Sequence, residues 1–445
     1  MASACGDKGE FEPISEKESH SGAHAEEKSR VPSSESRRVL LLYAAGYNNL
    51  SSYIRANIES LVTGYLPSDG RRENVLLVFS KLRAPGGGSS TPVRPSLVRL
   101  YRDAGGTPVA DTLLTWPEET LAASPKTVNE VLAYVRDTFP AAGYGMIFSS
   151  HATGWLPAGY FENPGRYDDD DTDFDMFEAR SGRKELPASP FRDPVPVPYV
   201  EPEADPSLPA VKSIGQEVVT TGHSTSSYEM EIEEFAAAIP MHLDYLLFDA
   251  CLMGCIEVAY ALRDACGQVG FSPTEVLAEG FDYTTLASRL LEGAQADPLA
   301  VCRDYFNRYD QETGAMRSAT ITLVDCSRLE ELAGVCADLF DRYRDGLAAV
   351  NPSAVQRYFR EDKHWFYDLE DILDKAGASP ADLSRLQDAV AASIRYKAAT
   401  EQFMSASFKI KVYSGYGMYL PANGSAYLDA YYRNLSWNRA TGLVR

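Results

Sequence analysis

One stretch near the middle of the chain, residues 245–262, constrains the fold more than any other. Its first part, residues 245–248, is a short apolar run typical of a strand buried on both faces of a sheet. From Leu252 onward apolar side chains recur at helical spacing, so the stretch predicts a strand, a sharp turn and a helix. Cys251 lies at that turn, where a helix N-terminus lowers the pKa of a thiol and where open parallel sheets bind ligands. Cys251 is therefore a candidate nucleophile.

Strand patterns alternate with helical ones along much of the chain. Apolar or alternating runs predict strands at residues 39–45, 74–80, 96–101, 144–149, 269–276 and 319–325. Helical patterns fall between them, for example at residues 126–138 and 329–343. This alternation predicts an α/β fold with a mostly parallel sheet and helices on both faces.

His151 follows the strand predicted at residues 144–149, just as Cys251 follows its own strand. Carboxyl ends of neighbouring parallel strands meet at one edge of a sheet, so the two side chains would come together if those strands are neighbours. A thiolate can attack a carbonyl there, while an imidazole protonates the leaving group. The weaker candidates, which lack this strand context, are His223, His242 and His364.

Two motifs in this order are more specific than either one alone. They are Gly-Met-Ile-Phe-Ser-Ser-His-Ala-Thr-Gly-Trp at residues 145–155 and Asp-Ala-Cys-Leu-Met-Gly at residues 249–254. The pair resembles the histidine and cysteine blocks of the clostripain family of caspase-like cysteine peptidases, and weaker similarity covers most of the chain after residue 38. The resemblance implies a caspase-like fold and a Cys251/His151 dyad that cleaves protein or peptide substrates. It implies no Asp or Asn that orients the imidazole.

The resemblance also implies roles for residues around the dyad. The backbone N–H groups of Ala152 and Cys251 would form the oxyanion hole. Ala152 stands where the family usually has glycine, and alanine keeps the N–H but loses easy access to positive φ. Asp249 and Asp282 would lie at the substrate pocket, where Asp249 matches cleavage after Arg or Lys. Asp249 is equally consistent with hydrogen bonding to a turn, and many relatives carry Trp or Pro in place of Asp282.

Residues 156–212 interrupt the alternation. They hold ten of the chain's 26 prolines and the run Asp-Asp-Asp-Asp-Thr-Asp-Phe-Asp at residues 168–175. This composition predicts a long surface insertion outside the sheet. The peptidase chemistry requires no cofactor. The aspartate run is also consistent with Ca²⁺ binding, although a solvated acidic loop is the simpler interpretation.

The insertion lies between the histidine and cysteine motifs, as in caspase-like enzymes that mature by internal cleavage. This placement suggests that it covers the site in a zymogen and is cut by the enzyme itself after a basic residue. The candidate cleavage residues are Arg180, Arg183, Lys184, Arg192 and Lys212.

Two other functions are consistent with the sequence. Ala152 and the covering insertion also fit a catalytically silent, caspase-like surface lipoprotein that binds proteins or peptides. Divergence from the family at residues 280–283 also fits a peptidase of the same fold that does not prefer basic residues.

The acidic composition and the N-terminal tail bear on partners and location. A net charge of −21 over 445 residues argues against nucleic acid as a partner. Residues 1–37 are polar and predicted to be a disordered tether. Within them, Ser-Ala-Cys-Gly at residues 3–6 resembles the mature start of a bacterial lipoprotein, which makes Cys5 either a lipid anchor or a plain tail cysteine. The expected location is extracytoplasmic, secreted or lipid-anchored at the bacterial cell surface.

The predicted domain organisation has three parts. The tether at residues 1–37 precedes a catalytic domain at residues 38–345, which carries the insertion at residues 156–212. Residues 346–445 are expected to form a C-terminal α+β subdomain packed on the catalytic domain. The odd number of cysteines gives no disulfide pattern. The cysteines predicted to be buried thiols are Cys255, Cys266, Cys302, Cys326 and Cys336.

Overall fold

A computed structural model describes residues 37–70, 73–168, 191, 193–200, 211–212, 216–361 and 364–445. The strands are β1 (Arg38–Gly46), β2 (Val75–Leu82), β3 (Ser96–Arg102), β4 (Pro108–Thr115), β5 (Gly143–Ser149), β6 (Val197–Pro198), β7 (Val211–Lys212), β8 (Gln216–Thr221), β9 (Ser224–Glu229), β10 (Leu243–Asp249), β11 (Cys266–Phe271), β12 (Val276–Leu277), β13 (Thr320–Asp325), β14 (Tyr367–Asp368), β15 (Ile394–Ala399), β16 (Gln402–Phe403), β17 (Ser405–Lys409) and β18 (Gly417–Met418).

The helices are α1 (Ser51–Thr63), α2 (Pro125–Thr138), α3 (Gly165–Asp168), α4 (Ile232–Ala237), α5 (Ile256–Leu262), α6 (Tyr283–Ala287), α7 (Pro298–Asp310), α8 (Leu329–Arg342), α9 (Arg344–Ala349), α10 (Leu369–Lys375), α11 (Pro380–Ser393), α12 (Ala426–Tyr432) and α13 (Ser436–Thr441). A π-helical turn at Ser288–Glu292 continues α6. Short 3₁₀ helices lie at Gly314–Met316, Cys326–Arg328, Pro352–Ala354 and Pro421–Asn423.

The core is a nine-stranded sheet in the order β15-β13-β11-β10-β5-β1-β2-β3-β4. Its five central strands, from β11 to β2, run parallel, and two antiparallel strands extend it at each edge. The central strands are nearly continuous apolar runs because helices cover both faces of a parallel sheet. The predicted α/β fold is confirmed, with its parallel part at the centre of the sheet.

Helices reach both faces because the chain leaves the centre of the sheet in two directions. It crosses from β1 to β2 on one side, and from β5 through β10 to β11 on the other. Right-handed crossovers in opposite directions place α1 on one face and α4 and α5 on the other. The order reverses between β1 and β5, and such a switch point opens a crevice at the carboxyl ends of the strands.

Two details of the sheet differ from the sequence prediction. The strand expected at residues 269–276 lies earlier, at Cys266–Phe271, and the following residues form a turn before β12. Strand β4 was not predicted, and its side chains are mostly exposed at the antiparallel edge of the sheet. An edge strand that buries little apolar surface shows no clear hydrophobic pattern.

The predicted insertion is partly built into the fold. Its first residues are buried, and Tyr160 stacks on Tyr427 with ring centroids 5.8 Å apart. Two strands lie within its predicted bounds, because β6 pairs with β9 and β7 pairs with β12. The expectation that residues 156–212 contribute nothing to a sheet was therefore wrong for these two short strands. Arg180, Arg183, Lys184, Arg192, the aspartates at 169–175 and the tail with Cys5 lie outside the described residues.

The C-terminal segment shares the core of the catalytic unit. Strand β15 is the edge of the main sheet, and α13 packs against α5 and α8. The N–H of Gly417 donates to the carbonyl of Gly254 over 2.7 Å, which ties this segment to the turn after Cys251. The domain boundary near residue 345 stays a prediction. Among the described residues, no helix combines the length and apolarity that crossing a bilayer requires.

A buried glutamate joins α5 to the C-terminal segment. Glu257 Oε1 accepts hydrogen bonds from the Tyr419 N–H at 2.9 Å and from the Tyr432 hydroxyl at 2.6 Å. Tyr419 and Tyr432 also pack edge-on against Trp155, which follows His151. Burial raises the pKa of Glu257 from 4.5 to about 7. The folded chain therefore binds a proton at this site over a range in which an unfolded glutamate has lost it.

Glu257→Gln is expected to change how stability depends on pH. A raised carboxyl pKa stabilises the fold below the unfolded value and loses that contribution as pH rises through about 7. For the wild type this group lowers the free energy of unfolding by about 3 kcal/mol between pH 4.5 and 7. Glutamine keeps an oxygen that accepts hydrogen bonds but does not titrate. The free energy of unfolding of the variant should therefore not decrease over this pH range, and the variant should be more stable than the wild type above pH 7. Urea unfolding of both chains at several pH values measures it, and parallel curves would contradict it.

Candidate active site

The two predicted catalytic residues follow adjacent parallel strands, at equivalent positions beyond the ends of those strands. Strand β5 pairs with β10 in parallel, with Ser149 opposite Asp249. His151 and Cys251 each lie two residues beyond this pair, at the carboxyl edge of the sheet. The structure thus brings the imidazole and thiol segments to one place, beside the switch point between β1 and β5.

Cys251 is held by the segment that follows β11. The N–H of Val276 donates to its Sγ at 3.0 Å, and the thiol lies 3.7 Å from the Val276 carbonyl. The turn is fixed behind it, because the Leu252 N–H donates to the Thr274 carbonyl at 2.9 Å. Leu252 has a φ of 58°, a left-handed conformation that costs a non-glycine residue about 1–2 kcal/mol. The surrounding contacts therefore hold the cysteine on a strained turn.

His151 contacts the turn that follows β1. Its Nε2 lies 2.6 Å from Oδ1 of Asn49. Three adjacent parallel strands, β1, β5 and β10, thus deliver Asn49, His151 and Cys251 to one edge. The sequence analysis named no partner for the imidazole. The order of the strands would have revealed one, because Asn48-Asn49 follows a predicted strand in the same way as His151 does.

A glycine allows the two catalytic segments to touch. Gly154 has a φ of +62°, and a Cβ there would lie 2.6 Å from the Leu252 carbonyl oxygen and 2.9 Å from the Cys255 Sγ. Real side chains do not tolerate such distances. The loop after His151 therefore packs directly on the turn after Cys251, and only glycine fits at the contact.

Ala152 does not need the backbone freedom of the glycine it replaces. Among the described residues, the non-glycine positions with positive φ are Leu252 and Met404. Alanine is therefore compatible with the conformation of the loop, so Ala152 no longer argues for a silent protein. The oxyanion hole formed by the N–H groups of Ala152 and Cys251 stays a prediction.

Asp249 lies on the face of β10 opposite the one lined by Phe248. Its Oδ2 accepts hydrogen bonds from the Tyr283 hydroxyl at 2.6 Å and the Ser149 hydroxyl at 3.2 Å. Gly280, with a φ of +62°, packs so closely that a Cβ would lie 2.3 Å from the carboxylate. Asp249 is only 1% exposed, so its carboxylate is buried between Gly280 and the two hydroxyls.

Asp282 has a clear local role. Its side chain caps α6 by accepting the Thr284 N–H at 3.1 Å and the Thr285 hydroxyl at 3.0 Å. Such a cap typically stabilises a helix by about 1 kcal/mol. The place of Asp282 in the substrate pocket stays a prediction, separate from this structural role.

The cleft beside the dyad is nearly closed. Cys251 is fully buried and His151 is 1% exposed. The cavity next to the imidazole has a volume of only about 40 Å³, and Ala152, Glu229 and Met253 contribute to its walls. Burial raises the pKa of Glu229 to about 7, so this carboxyl is still partly protonated at neutral pH. The space beside the imidazole is therefore narrow, and the thiol and imidazole are both buried.

The end of the insertion lies against the segment that holds the thiol. Strands β7 and β12 are antiparallel, with Lys212 opposite Val276 and Val211 opposite Leu277. Val276 is the residue whose N–H donates to the Cys251 Sγ. Of the five predicted cleavage residues, Lys212 is the one that falls among the described residues, and its backbone lies next to the cysteine segment.

The other described cysteines behave as buried apolar side chains. All five are free and buried. Burial raises the pKa of Cys255, Cys266, Cys302, Cys326 and Cys336. Among the described residues, no group of three or more His, Cys, Asp or Glu side chains is placed to hold a metal ion. His364 lies elsewhere, with its Nε2 2.6 Å from the Arg357 guanidinium.

Gly154→Ala is expected to destabilise the fold by driving the two catalytic segments apart. The matched control is Gly222→Ala, because Gly222 has nearly the same φ, +63°, with no atom within 4 Å of the added Cβ. Both variants carry the cost of a left-handed alanine, and only Gly154→Ala adds the collision. We expect its free energy of unfolding to fall by about 1–3 kcal/mol more than that of the control. Equal losses in urea unfolding would show that the contact is not tight.

Comparison with known proteins agrees with this geometry. The model of the clostripain family matches residues 209–441, more than half of the chain. No curated protein matches the sequence. An inactive zymogen C11 protease from Parabacteroides distasonis superposes with a TM-score of 0.68 at 25% identity, covering 93% of this chain and 99% of its own. A secreted C11 cysteine protease from Bacteroides thetaiotaomicron, bound to an irreversible peptide inhibitor, gives 0.66 at 20% identity, covering 91% and 99%. The chain belongs to the clostripain family of cysteine peptidases.

Proposed function

We propose that this protein is an endopeptidase in which Cys251 attacks the peptide carbonyl and His151 transfers the protons. The observation that carries the proposal is the register of β5 and β10, which brings both residues to one sheet edge. The thiolate adds to the carbonyl carbon, and the imidazolium gives its proton to the departing amine. Water then releases the acyl group from the sulfur. The N–H groups of Ala152 and Cys251 are the proposed donors to the oxyanion.

The proposed preference is for Arg or Lys before the cleaved bond. Asp249 supports it, because its carboxylate is buried two residues before Cys251 and is packed against Tyr283 and Gly280. A cationic side chain that reached this carboxylate would form a charge-assisted hydrogen bond. The Ser149 and Tyr283 hydroxyls would hold the carboxylate in place.

The described state is proposed to be a zymogen that cuts itself after Lys212. Three observations support this. The cleft beside His151 holds only about 40 Å³, the thiol is buried, and the backbone of Lys212 pairs with the residue that holds the thiol. A lysine at that position matches the proposed preference. The similar structure from Parabacteroides distasonis is itself described as an inactive zymogen.

We propose that the protein acts outside the cytoplasm on proteins or peptides. A similar structure from Bacteroides thetaiotaomicron, named iotapain, is described as secreted; it covers 93% of this chain at 21% identity and a TM-score of 0.65. The lipid anchor at Cys5 and calcium binding by the aspartate run remain hypotheses about segments outside the described residues.

Cys251→Ala and His151→Ala are expected to keep the purified chain intact, whereas the wild type yields two fragments. Lys212→Ala should slow processing at least tenfold, because the bond to be cut would no longer follow a basic residue. Removal of the nucleophile should lower turnover of Arg and Lys peptides by at least about 10³-fold. Gel electrophoresis and N-terminal sequencing check this, and the new N-terminus should be Ser213.

Lys184→Ala is the matched control, since it removes another predicted cleavage residue of the same type. Iodoacetamide gives a second readout, because Cys251 should react quickly only after processing, when the cleft is open. A new N-terminus elsewhere would exclude Lys212 as the site. Full activity of an intact wild-type chain would exclude the zymogen, and unchanged turnover in Cys251→Ala would exclude the dyad.

Asp249→Asn is expected to remove the preference for a charged side chain. Hydrogen bonds to charged groups contribute about 1.5–3 kcal/mol, so kcat/KM for a lysine peptide should fall by roughly 10- to 100-fold. A norleucine peptide of the same sequence lacks the ammonium group and should be affected far less. Asp297→Asn is the control, since Asp297 caps α7 by accepting the Ala300 N–H at 2.8 Å and asparagine also caps helices well. Equal losses on both peptides would show that Asp249 is structural.

A further inference from the structure

We propose that Asn49 is a positioning residue of the catalytic site: it fixes the orientation and tautomer of His151. The inference rests on the proposed peptidase chemistry and adds a third residue to the dyad. The primary observation is the 2.6 Å contact between Asn49 Oδ1 and His151 Nε2. The second is the topology, because β1 is the neighbour of β5 on the side away from β10. The imidazole thus lies between strands that deliver an amide and a thiol.

The turn that carries Asn49 is itself held in place. Its neighbour Asn48 is buried and accepts the Leu50 N–H at 2.9 Å, while its amide donates to the Gln216 carbonyl at 2.7 Å. The Asn48 N–H donates to the Gly46 carbonyl at 2.8 Å, at the end of β1. The backbone of this turn is therefore fixed, which keeps the Asn49 side chain within reach of His151.

The chemistry of this contact determines which imidazole nitrogen exchanges a proton with the thiol. An amide oxygen only accepts hydrogen bonds, so Oδ1 selects the form of His151 with hydrogen on Nε2. That leaves Nδ1 as the nitrogen that takes the thiol proton and later gives it to the leaving group. When the imidazole becomes charged, Nε2–H remains a donor and Oδ1 stabilises the cation. The same contact therefore orients the ring and favours the imidazolium.

A purely structural role for Asn49 fits the structure less well. Asn48 is buried in the turn, whereas Asn49 is exposed and its side-chain hydrogen bond within the described residues is the one to His151. Loss of an exposed polar side chain usually changes stability by less than about 0.5 kcal/mol. The expected effect therefore falls on catalysis rather than on folding.

Asn49→Ala and Asn49→Asp test the inference in the processed enzyme, with active sites counted by iodoacetamide labelling. We expect Asn49→Ala to lower kcat by about 10- to 100-fold with little change in KM, and to move the alkaline limb of kcat/KM to lower pH. The carboxylate of Asn49→Asp favours the imidazolium, so it should keep most of the rate and move that limb up by roughly one pH unit. The matched control is Asn434→Ala, an exposed asparagine whose amide donates to the Ala430 carbonyl at 3.0 Å.

The outcomes separate this inference from the proposed function. The iodoacetamide rate of Cys251 against pH reports the thiolate and imidazolium directly, without any peptide cleavage. Shifts of that profile in the two Asn49 variants, in opposite directions, would support the inference even if no peptide substrate were cleaved. Unchanged profiles would overturn it, as would a loss of kcat no larger than that of Asn434→Ala. Failure of the wild type to cleave peptides would count against the proposed function alone.

Discussion

The site depends first on the pairing of β5 with β10. A shift of one residue in a strand turns every side chain to the other face, so a buried sheet permits a single register. Here the apolar runs of both strands are covered on both sides, which fixes Ser149 opposite Asp249. The positions of the imidazole and the thiol follow from that register. The core thereby sets the catalytic geometry, and the loops only extend it.

The second constraint is a direct contact between the loops. Gly154 approaches the turn after Cys251 more closely than any side chain allows, and Leu252 is held with a left-handed backbone. Strain of this kind persists only where the surroundings fix the conformation. The Gly417 N–H and the tyrosines around Glu257 supply part of that support from the C-terminal segment. This segment therefore helps to shape the proposed site.

Much of this arrangement could be predicted from the sequence. The strands that precede His151 and Cys251 are apolar runs, and the local sequence pattern is most informative for such buried elements. The edge strand β4 and the short strands β6 and β7 were missed, because their pairing depends on distant partners and not on their own composition. Asn49 was missed for a related reason. Its role appears only when β1 is known to lie beside β5, and strand order is a property of the whole chain.

The pairing of β7 with β12 has a consequence for how this enzyme meets its substrates. A strand tethered to the same molecule competes as an intramolecular ligand, with an effective concentration that can reach the millimolar range. Any free peptide that adds to the same edge of β12 must displace it, so even a well-fitting substrate or inhibitor would bind weakly until the tether is severed. The proposed cut after Lys212 would leave β7 at the free end of the N-terminal fragment, where it competes less strongly than a strand anchored on both sides. The affinity of the uncut chain for a peptide would then reflect competition with β7, and not the intrinsic affinity of the cleft for that peptide.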